Sequence, residues 1–226
     1  MIVLQDVSKR YEGFAALSHV SLSLARGEFA FLIGTNGAGK TTLLRLLLRE
    51  ESFDAGVILV NGVDIATIRG NALTKFRRKI GVVFQDTRLL PNATVSENVG
   101  LPLQVRGRSN RDVQAAVAEV LDRVGLSDKA SRFPKQLSGG EQRKVALARA
   151  VVARPEILLC DEPTDSINPV HAREIIDLLL NINSEGVTTL VATHDSEIVN
   201  DLRRRVIRME AGSVLADEPV GVFSTT

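Results

Sequence analysis

The sequence predicts an α/β protein with a mainly parallel sheet, an antiparallel β portion at the N-terminus and a helical insertion in its middle. Three observations carry that prediction. Residues 2–24 alternate apolar and polar positions (Ile2, Leu4, Val7, then Val20, Leu22, Leu24), the period of half-buried antiparallel strands. The strands at 28–33 and 156–160 are instead nearly continuous in apolar residues, as strands covered on both faces of a parallel sheet are. From about residue 88 to 153 the alternation of strands and helices gives way to helices alone.

Taken in order, the two N-terminal strands are joined by a loop in which Tyr11 is expected to sit. A turn at Arg26-Gly27 leads into the strand at 28–33, which runs into Gly34–Thr42. Leu43, Leu44, Leu46, Leu47 and Leu48 then form the apolar face of a helix. A strand over Val57–Val60 ends in the tight turn Asn61-Gly62, with Asp64-Ile65 beyond it. A short helix over about Leu73–Arg78 leads to the strand Ile80–Phe84. Thr94 and Glu97 have capping-box spacing and open a helix that Gly107 ends. Asn110 is expected to cap the next, whose stripe is Val113, Ala116, Val117, Val120, Leu121 and Val124 and whose stop is Gly125.

A third helix covers Gly139 to about Ala153. Alternation resumes with the strand at 156–160, a helix from Pro169 to about Asn183, a strand over Val187–Ala192 and a short helix over Asp195–Arg203. Val206–Met209 and Ser213–Leu215 close as a hairpin. The tail after Asp217 shows no pattern and is expected to be mobile. The whole chain, 1–226, is expected to be one domain, with residues 1–87 and 154–226 forming the β portion and core and 88–153 a helical subdomain.

A chain of 226 residues can bury about 70–75% of its unfolded surface, enough for a core without staples. Hydrophobic content of 44% and charged content of 24% are ordinary for a globular protein. The net charge of +1 offers no electrostatic argument for nucleic acid, and none is expected as a partner. Arg106, Arg108 and Arg111, and the run Arg203–Arg205, read as solvated faces. The single cysteine, Cys160, excludes a disulfide framework and reads as a small buried hydrophobe in a reducing compartment. No segment approaches the roughly 18 apolar residues of a membrane span, and the N-terminus lacks a signal peptide's basic-then-apolar order. The expected location is the cytoplasm, with any membrane association made through a partner.

The chemistry starts from Gly34–Thr42, which has the form G-x-x-x-x-G-K-[ST]. Glycines there let backbone N–H groups turn inward around phosphates, with Asn36, Gly37, Ala38, Gly39 and Thr42 part of the cradle. Lys40 adds a positive charge, and the Thr41 hydroxyl can hold Mg²⁺. The following helix aims its N-terminus at the same phosphates. A glycine-rich turn that binds nothing is the bland alternative, and the strand and helix flanks argue against it.

Four further features narrow the reaction. Asp161 and Glu162 end an apolar strand, with Asp161 placed to reach Mg²⁺ and Glu162 to polarise a water against the γ-phosphate. Ser138, Gly139 and Gly140 open a helix and form a second anion-binding end, which makes sense if it meets the γ-phosphate held by another copy; a plain N-cap is the alternative. Gln85 follows a strand, where its amide can sense Mg²⁺ or the lytic water. His194 follows another and can donate a hydrogen bond to a γ-phosphate. His19 and His171 have no such placement and read as structural or solvated.

Gly34–Thr42, Gln85, Leu137–Gln142, Cys160–Pro163 and His194 together resemble, in order, the motifs of the ATP-binding cassette (ABC) ATPases over nearly the whole chain. The resemblance implies a RecA-like P-loop NTPase core, ATP and Mg²⁺ as ligands, and a head-to-tail homodimer that sandwiches two ATP molecules. Each ATP would face the Gly34–Thr42 loop of one copy and Ser138-Gly139-Gly140 of the other. Tyr11 matches the aromatic that stacks on adenine; a strand-edge tyrosine is the alternative.

Residues 83–91, Thr94–Val99 and Leu101-Pro102-Leu103 are most similar to the cell-division branch of that family. That branch implies a membrane partner similar to FtsX, docked between core and helical subdomain near residues 85–103, and signalling through it to cell-wall hydrolases. Lipoprotein-release and macrolide-export ATPases share much of the pattern and are the alternative. A soluble ABC protein acting on ribosomes or DNA is disfavoured, because the chain has neither two cassettes nor a long coiled-coil insertion. A nucleotide-binding module with little turnover stays open through one departure. The family usually reads Gly-Asn-Leu-Asp where this chain has Asp165-Ser166-Ile167-Asn168. The usual final Asp is thus Asn168, and Asp165 replaces a small flexible residue. Glu162 and His194 are intact, so an active ATPase is expected.

Overall fold

Two sheets hold every strand among the residues described, 1–223, in this computed structural model. The first is antiparallel, ordered β2-β1-β4-β5, from β1 (Ile2–Tyr11), β2 (Phe14–Leu24), β4 (Ala55–Val60) and β5 (Val63–Asp64). The second runs β10-β9-β3-β8-β7-β6. It comprises β3 (Phe29–Ile33), β6 (Ile80–Val83), β7 (Ile157–Asp161), β8 (Thr188–Thr193), β9 (Arg205–Glu210) and β10 (Ser213–Glu218). All its pairings are parallel except the β9–β10 hairpin. Among the described residues seven α-helices join these strands: α1 (Lys40–Leu47), α2 (Gly70–Arg77), α3 (Val95–Val105), α4 (Asn110–Arg123), α5 (Gly139–Val151), α6 (Pro169–Ser184) and α7 (Ser196–Leu202).

The sequence patterns translate directly into packing. In β1 and β2 the alternating apolar residues face one another across the ladder, Ile2 with Leu24, Leu4 with Leu22 and Val7 with Val20, and all six are buried. The parallel strands divide their residues between two cores. Phe29, Phe31 and Ile33 of β3, with Leu158 and Cys160 of β7, join the cluster built on α3–α6. Ala30, Leu32, Ile157 and Leu159 point the other way, into the cluster shared by α1 and the antiparallel sheet. Burial on both faces is why these strands read as unbroken apolar runs.

No strand lies between β6 and β7; α3, α4 and α5 occupy that stretch and pack on one another. Arginines tie them to the core through carbonyl oxygens. Arg143 of α5 donates to Phe84 O (3.1 Å) and Asp165 O (3.2 Å), and Arg149 to Thr87 O and Arg88 O (both 2.7 Å).

Several boundaries differ from expectation, each for a local reason. Tyr11 is the last residue of β1 rather than a loop residue, paired with Phe14 across a tight Glu12-Gly13 turn. Ser109, not Asn110, caps α4: its hydroxyl accepts from Asp112 N at 3.2 Å, and Asn110 is the first helical residue. Helix α2 begins at Gly70, three residues before the apolar pattern starts. The final strand continues to Glu218, and Phe223 N donates to Asn200 Oδ1 at 2.7 Å, anchoring the described part of the tail; residues 224–226 lie outside the described residues. His171 packs against Gly140, where an added Cβ would lie 2.9 Å from the ring.

Candidate active site

Four loops leave the C-terminal ends of adjacent parallel strands. The register is nearly level there: Ile33 pairs with Thr193, Asp161 with Ala192 and Val83 with Cys160. The residues that follow (Gly34 after β3, Gln85 after β6, Glu162 after β7, His194 after β8) are therefore delivered to one edge of the sheet, where ligands bind in open α/β folds. A cleft of about 500 Å³ opens there. Tyr11, Asn36–Thr42, Gln85, Glu162 and His194 line it, with Asp165.

The loop before α1 has its shape because Gly39, the N-cap of α1, sits at φ 102°. A Cβ at Gly39 would approach Ala16 O to 2.6 Å, so only glycine lets the turn pass under β2. Lys40 is buried, and its ammonium donates to Gly34 O at 2.6 Å and lies 3.7 Å from Glu162 Oε1. Glu162 adopts φ 48° and is itself 6% exposed. Its other oxygen accepts from His194 N at 3.2 Å and lies 2.9 Å from His194 Nδ1, which leaves Nε2 of that ring as the nitrogen available to a ligand.

Asp161, beside it, is buried, and burial is the largest influence on its carboxyl, raising it above the ordinary aspartate value of 3.8. A hydrogen bond from Thr41 lowers it, Glu162 raises it, and Lys40 and Arg45 lower it in smaller measure. One of its oxygens, Oδ1, is buried without a hydrogen-bond partner among the described residues. An orphaned carboxylate oxygen beside a threonine hydroxyl suits a hard divalent cation, which takes oxygen ligands.

At the far end of the cleft Tyr11 donates through its hydroxyl to Glu51, which also pairs with Arg45 at 3.3 Å. Lys9 Nζ stands 5.2 Å from the Tyr11 ring centroid. Phe14 lies 5.6 Å from it, centroid to centroid, and is 59% exposed in the cleft wall. Phe14, Ala16 and Thr35 line the cleft without having been singled out from the sequence. An aromatic three positions from Tyr11 across a glycine turn is the signal that could have found Phe14.

Ser138, Gly139 and Gly140 do not line this cleft. They stand at the N-terminus of α5, where Ser138 and Glu141 form a capping box and Lys129 pairs with Glu141. Lys129 first, then the Ser138 amide, hold the Glu141 carboxyl down to about 2. Asn168 caps α6, accepting from His171 N at 2.9 Å.

A glycine-rich loop running into a helix, a carboxylate pair at a strand end and a second capped, glycine-bearing helix N-terminus outside the cleft are together the layout of an ATPase of the cassette type. The ABC transporter family model matches residues 17–165, and the chain belongs to that family. Its activity is the binding and hydrolysis of ATP. The chain is 46% identical over 224 residues to the cell division ATP-binding protein FtsE of Streptococcus pneumoniae serotype 2, covering 99% of this chain and 97% of the relative. It is likewise 46% identical over 225 residues to FtsE of Mycobacterium tuberculosis, covering 99% and 98%. Among solved structures, the dimeric post-hydrolysis state of the ATP-binding cassette MJ0796 bound to ADP and Pi superposes with a TM-score of 0.89 at 34% identity. It covers 99% of this chain and 100% of that one.

Proposed function

We propose that this chain is the ATP-hydrolysing subunit of an FtsEX-like membrane complex in bacterial cell division. Full-length similarity to FtsE supports this reading over a lipoprotein-release or macrolide-export ATPase. The observation that carries the chemistry is the convergence of Lys40 and His194 on the two oxygens of the Glu162 carboxylate.

Triphosphate enters with its phosphates over the Gly34–Thr42 loop and its adenine against Tyr11. Lys40 and His194, which here face the Glu162 carboxylate, turn to the phosphate oxygens. Thr41, Asp161 and Gln85 would hold Mg²⁺, which would supply neutralisation of the charge on the triphosphate. Glu162, released from its two partners, orients a water and takes its proton as the oxygen attacks the γ-phosphorus. The bond to the β-bridging oxygen breaks and its electrons leave with ADP. Ser138, Gly139 and Gly140 of a second copy close over the γ-phosphate, so two copies associate head to tail on ATP. The partner is an integral membrane protein similar to FtsX, seated between the core and α3–α5. The dimer works at the cytoplasmic face of the membrane, and its cycle is relayed to cell-wall hydrolases. No helix among the described residues is long and apolar enough to cross a membrane, so attachment rests on that partner.

Glu162→Gln tests both levels. With Mg-ATP it is expected to lose at least nine-tenths of the turnover, to accumulate as a dimer, and to bring down an FtsX-like protein from native membranes, identified by mass spectrometry. Turnover at the native rate removes Glu162 from its role. Recovery of an export permease instead keeps the chemistry and reassigns the biology.

A further inference from the structure

The loop after Glu162 carries a side chain that the hydrolysis scheme does not use. Asp165 lines the cleft, and its Oδ2 accepts a hydrogen bond from Gln85 Nε2 at 3.4 Å. The loop is itself fixed: Asp165 N donates to Glu162 O at 3.2 Å, and Asp165 O accepts from Arg143 at 3.2 Å. Arg143 is 8% exposed and reaches Phe84 O with its other nitrogen; burial lowers its guanidinium below the usual arginine value, and the Asp165 carboxylate acts against that. The backbones on either side of the Gln85–Asp165 contact, Phe84 and Asp165, are thus held by one buried guanidinium.

We propose that Asp165 is a positioning residue that fixes which end of the Gln85 amide faces the reacting groups, an inference that rests on the reading of Gln85 as a cation- or water-facing residue. A glutamine amide has a donor end and an acceptor end of nearly the same shape, and in a solvated loop both orientations are open to it. An ionised carboxylate accepts only. Asp165 therefore takes the NH₂ end and leaves Oε1 as the atom available in the cleft. That is the end a hard divalent cation requires and the end that can accept a hydrogen bond from water. An asparagine at 165 could bond either end of the amide, and a glycine could bond neither. The aspartate is thus the residue type that resolves the ambiguity, and Arg143 keeps it in register with the Gln85 loop.

The test compares Asp165→Asn, Asp165→Gly and Asp165→Glu with Gln85→Ala, and reads two quantities. One is the Mg²⁺ concentration for half-maximal ATPase activity at saturating ATP. The other, independent of turnover, is the affinity for Mn²⁺ in the presence of ATP in the Glu162→Gln background, from the paramagnetic resonance of free Mn²⁺. Asp165→Asn and Asp165→Gly are expected to raise both concentrations about three- to tenfold, within the range for one misdirected hydrogen-bonding group. The KM for ATP at saturating Mg²⁺ should stay within about twofold, and Asp165→Glu should recover much of the loss. Adding Asp165→Asn to Gln85→Ala should do nothing further. If Gln85→Ala shifts both quantities and the Asp165 variants do not, Asp165 does not position Gln85. Tighter Mn²⁺ or ATP binding in Asp165→Asn also overturns the proposal, by making the carboxylate a repulsive charge. If Gln85→Ala itself changes nothing, the reading of Gln85 is at fault instead.

Discussion

Glu162 holds a left-handed backbone conformation that costs a non-glycine residue about 1–2 kcal/mol, and its carboxylate is pinned between Lys40 and His194. Such strain is sustained because Glu162 N donates to Ala192 O at 2.9 Å, inside the sheet register. Its neighbour Asp161 bears a different cost, a buried oxygen with no hydrogen-bond partner among the described residues. An acid raised in the folded state above its unfolded value of 3.8 destabilises the fold at any pH above the folded value, and the penalty vanishes below the unfolded one. Asp161→Asn should therefore abolish ATPase activity yet raise thermal stability at pH 7–8, by about 1–3 kcal/mol. That gain should fade as the pH approaches 4, as thermal melts at several pH values would show; equal stability of the two proteins at pH 7–8 would remove the penalty. Lys40→Ala should weaken ATP binding by one to two orders of magnitude, roughly the worth of a charged hydrogen bond, measurable with a fluorescent nucleotide.

The elements show what patterning conveys and what it leaves out. The capping box at Thr94 follows from residue types at fixed spacing and forms as read; the same spacing at Ser138 and Glu141 closes a second box, which the sequence reading treats only as a plain N-cap. Ser109 was passed over because Ser and Asn are near-equal caps and stand side by side; only the backbone angles choose between them. Tyr11 reads as a loop residue, but a two-residue turn at Glu12-Gly13 needs no longer connection, so β1 runs through Tyr11 to pair with Phe14. The face of α6 that meets α5 was not legible, since helical periodicity does not say which neighbour a residue touches. So the contact of His171 with Gly140 was missed. It makes the two glycines of α5 unequal. Gly139→Ala has room, its nearest neighbour being Ile167 Cγ2 at 3.8 Å, and should melt no lower than the native protein while impairing ATP-driven association. Gly140→Ala must displace the imidazole and should lose about 1–3 kcal/mol. Denaturation curves of the pair decide the matter, and a lower midpoint for Gly139→Ala would refute it.

Across the molecule, four strand ends at one edge of a parallel sheet gather the cleft residues in a single copy, while Ser138–Gly140 stand apart from them. The motifs of the cleft were legible because each follows a recognisable strand. Phe14 and the Arg143–Asp165 link were not, because they depend on which loops the topology brings together. The separation of Ser138–Gly140 from the cleft predicts that Glu162→Gln with Mg-ATP runs at twice the 24.5 kDa of one chain and returns to one chain when ATP is removed, by light scattering on a sizing column. A single-chain mass under both conditions would argue against head-to-tail closure. Cys160 bears on how such motion can be watched. It is the only thiol in the sequence, it is wholly buried in β7, and burial holds it far from its reactive anion. The chain is thus a blank background for site-selective labelling: a cysteine introduced on α3 or α6 is the one a maleimide dye or spin label will find, so inter-probe distances can be followed through a turnover without first rebuilding the core.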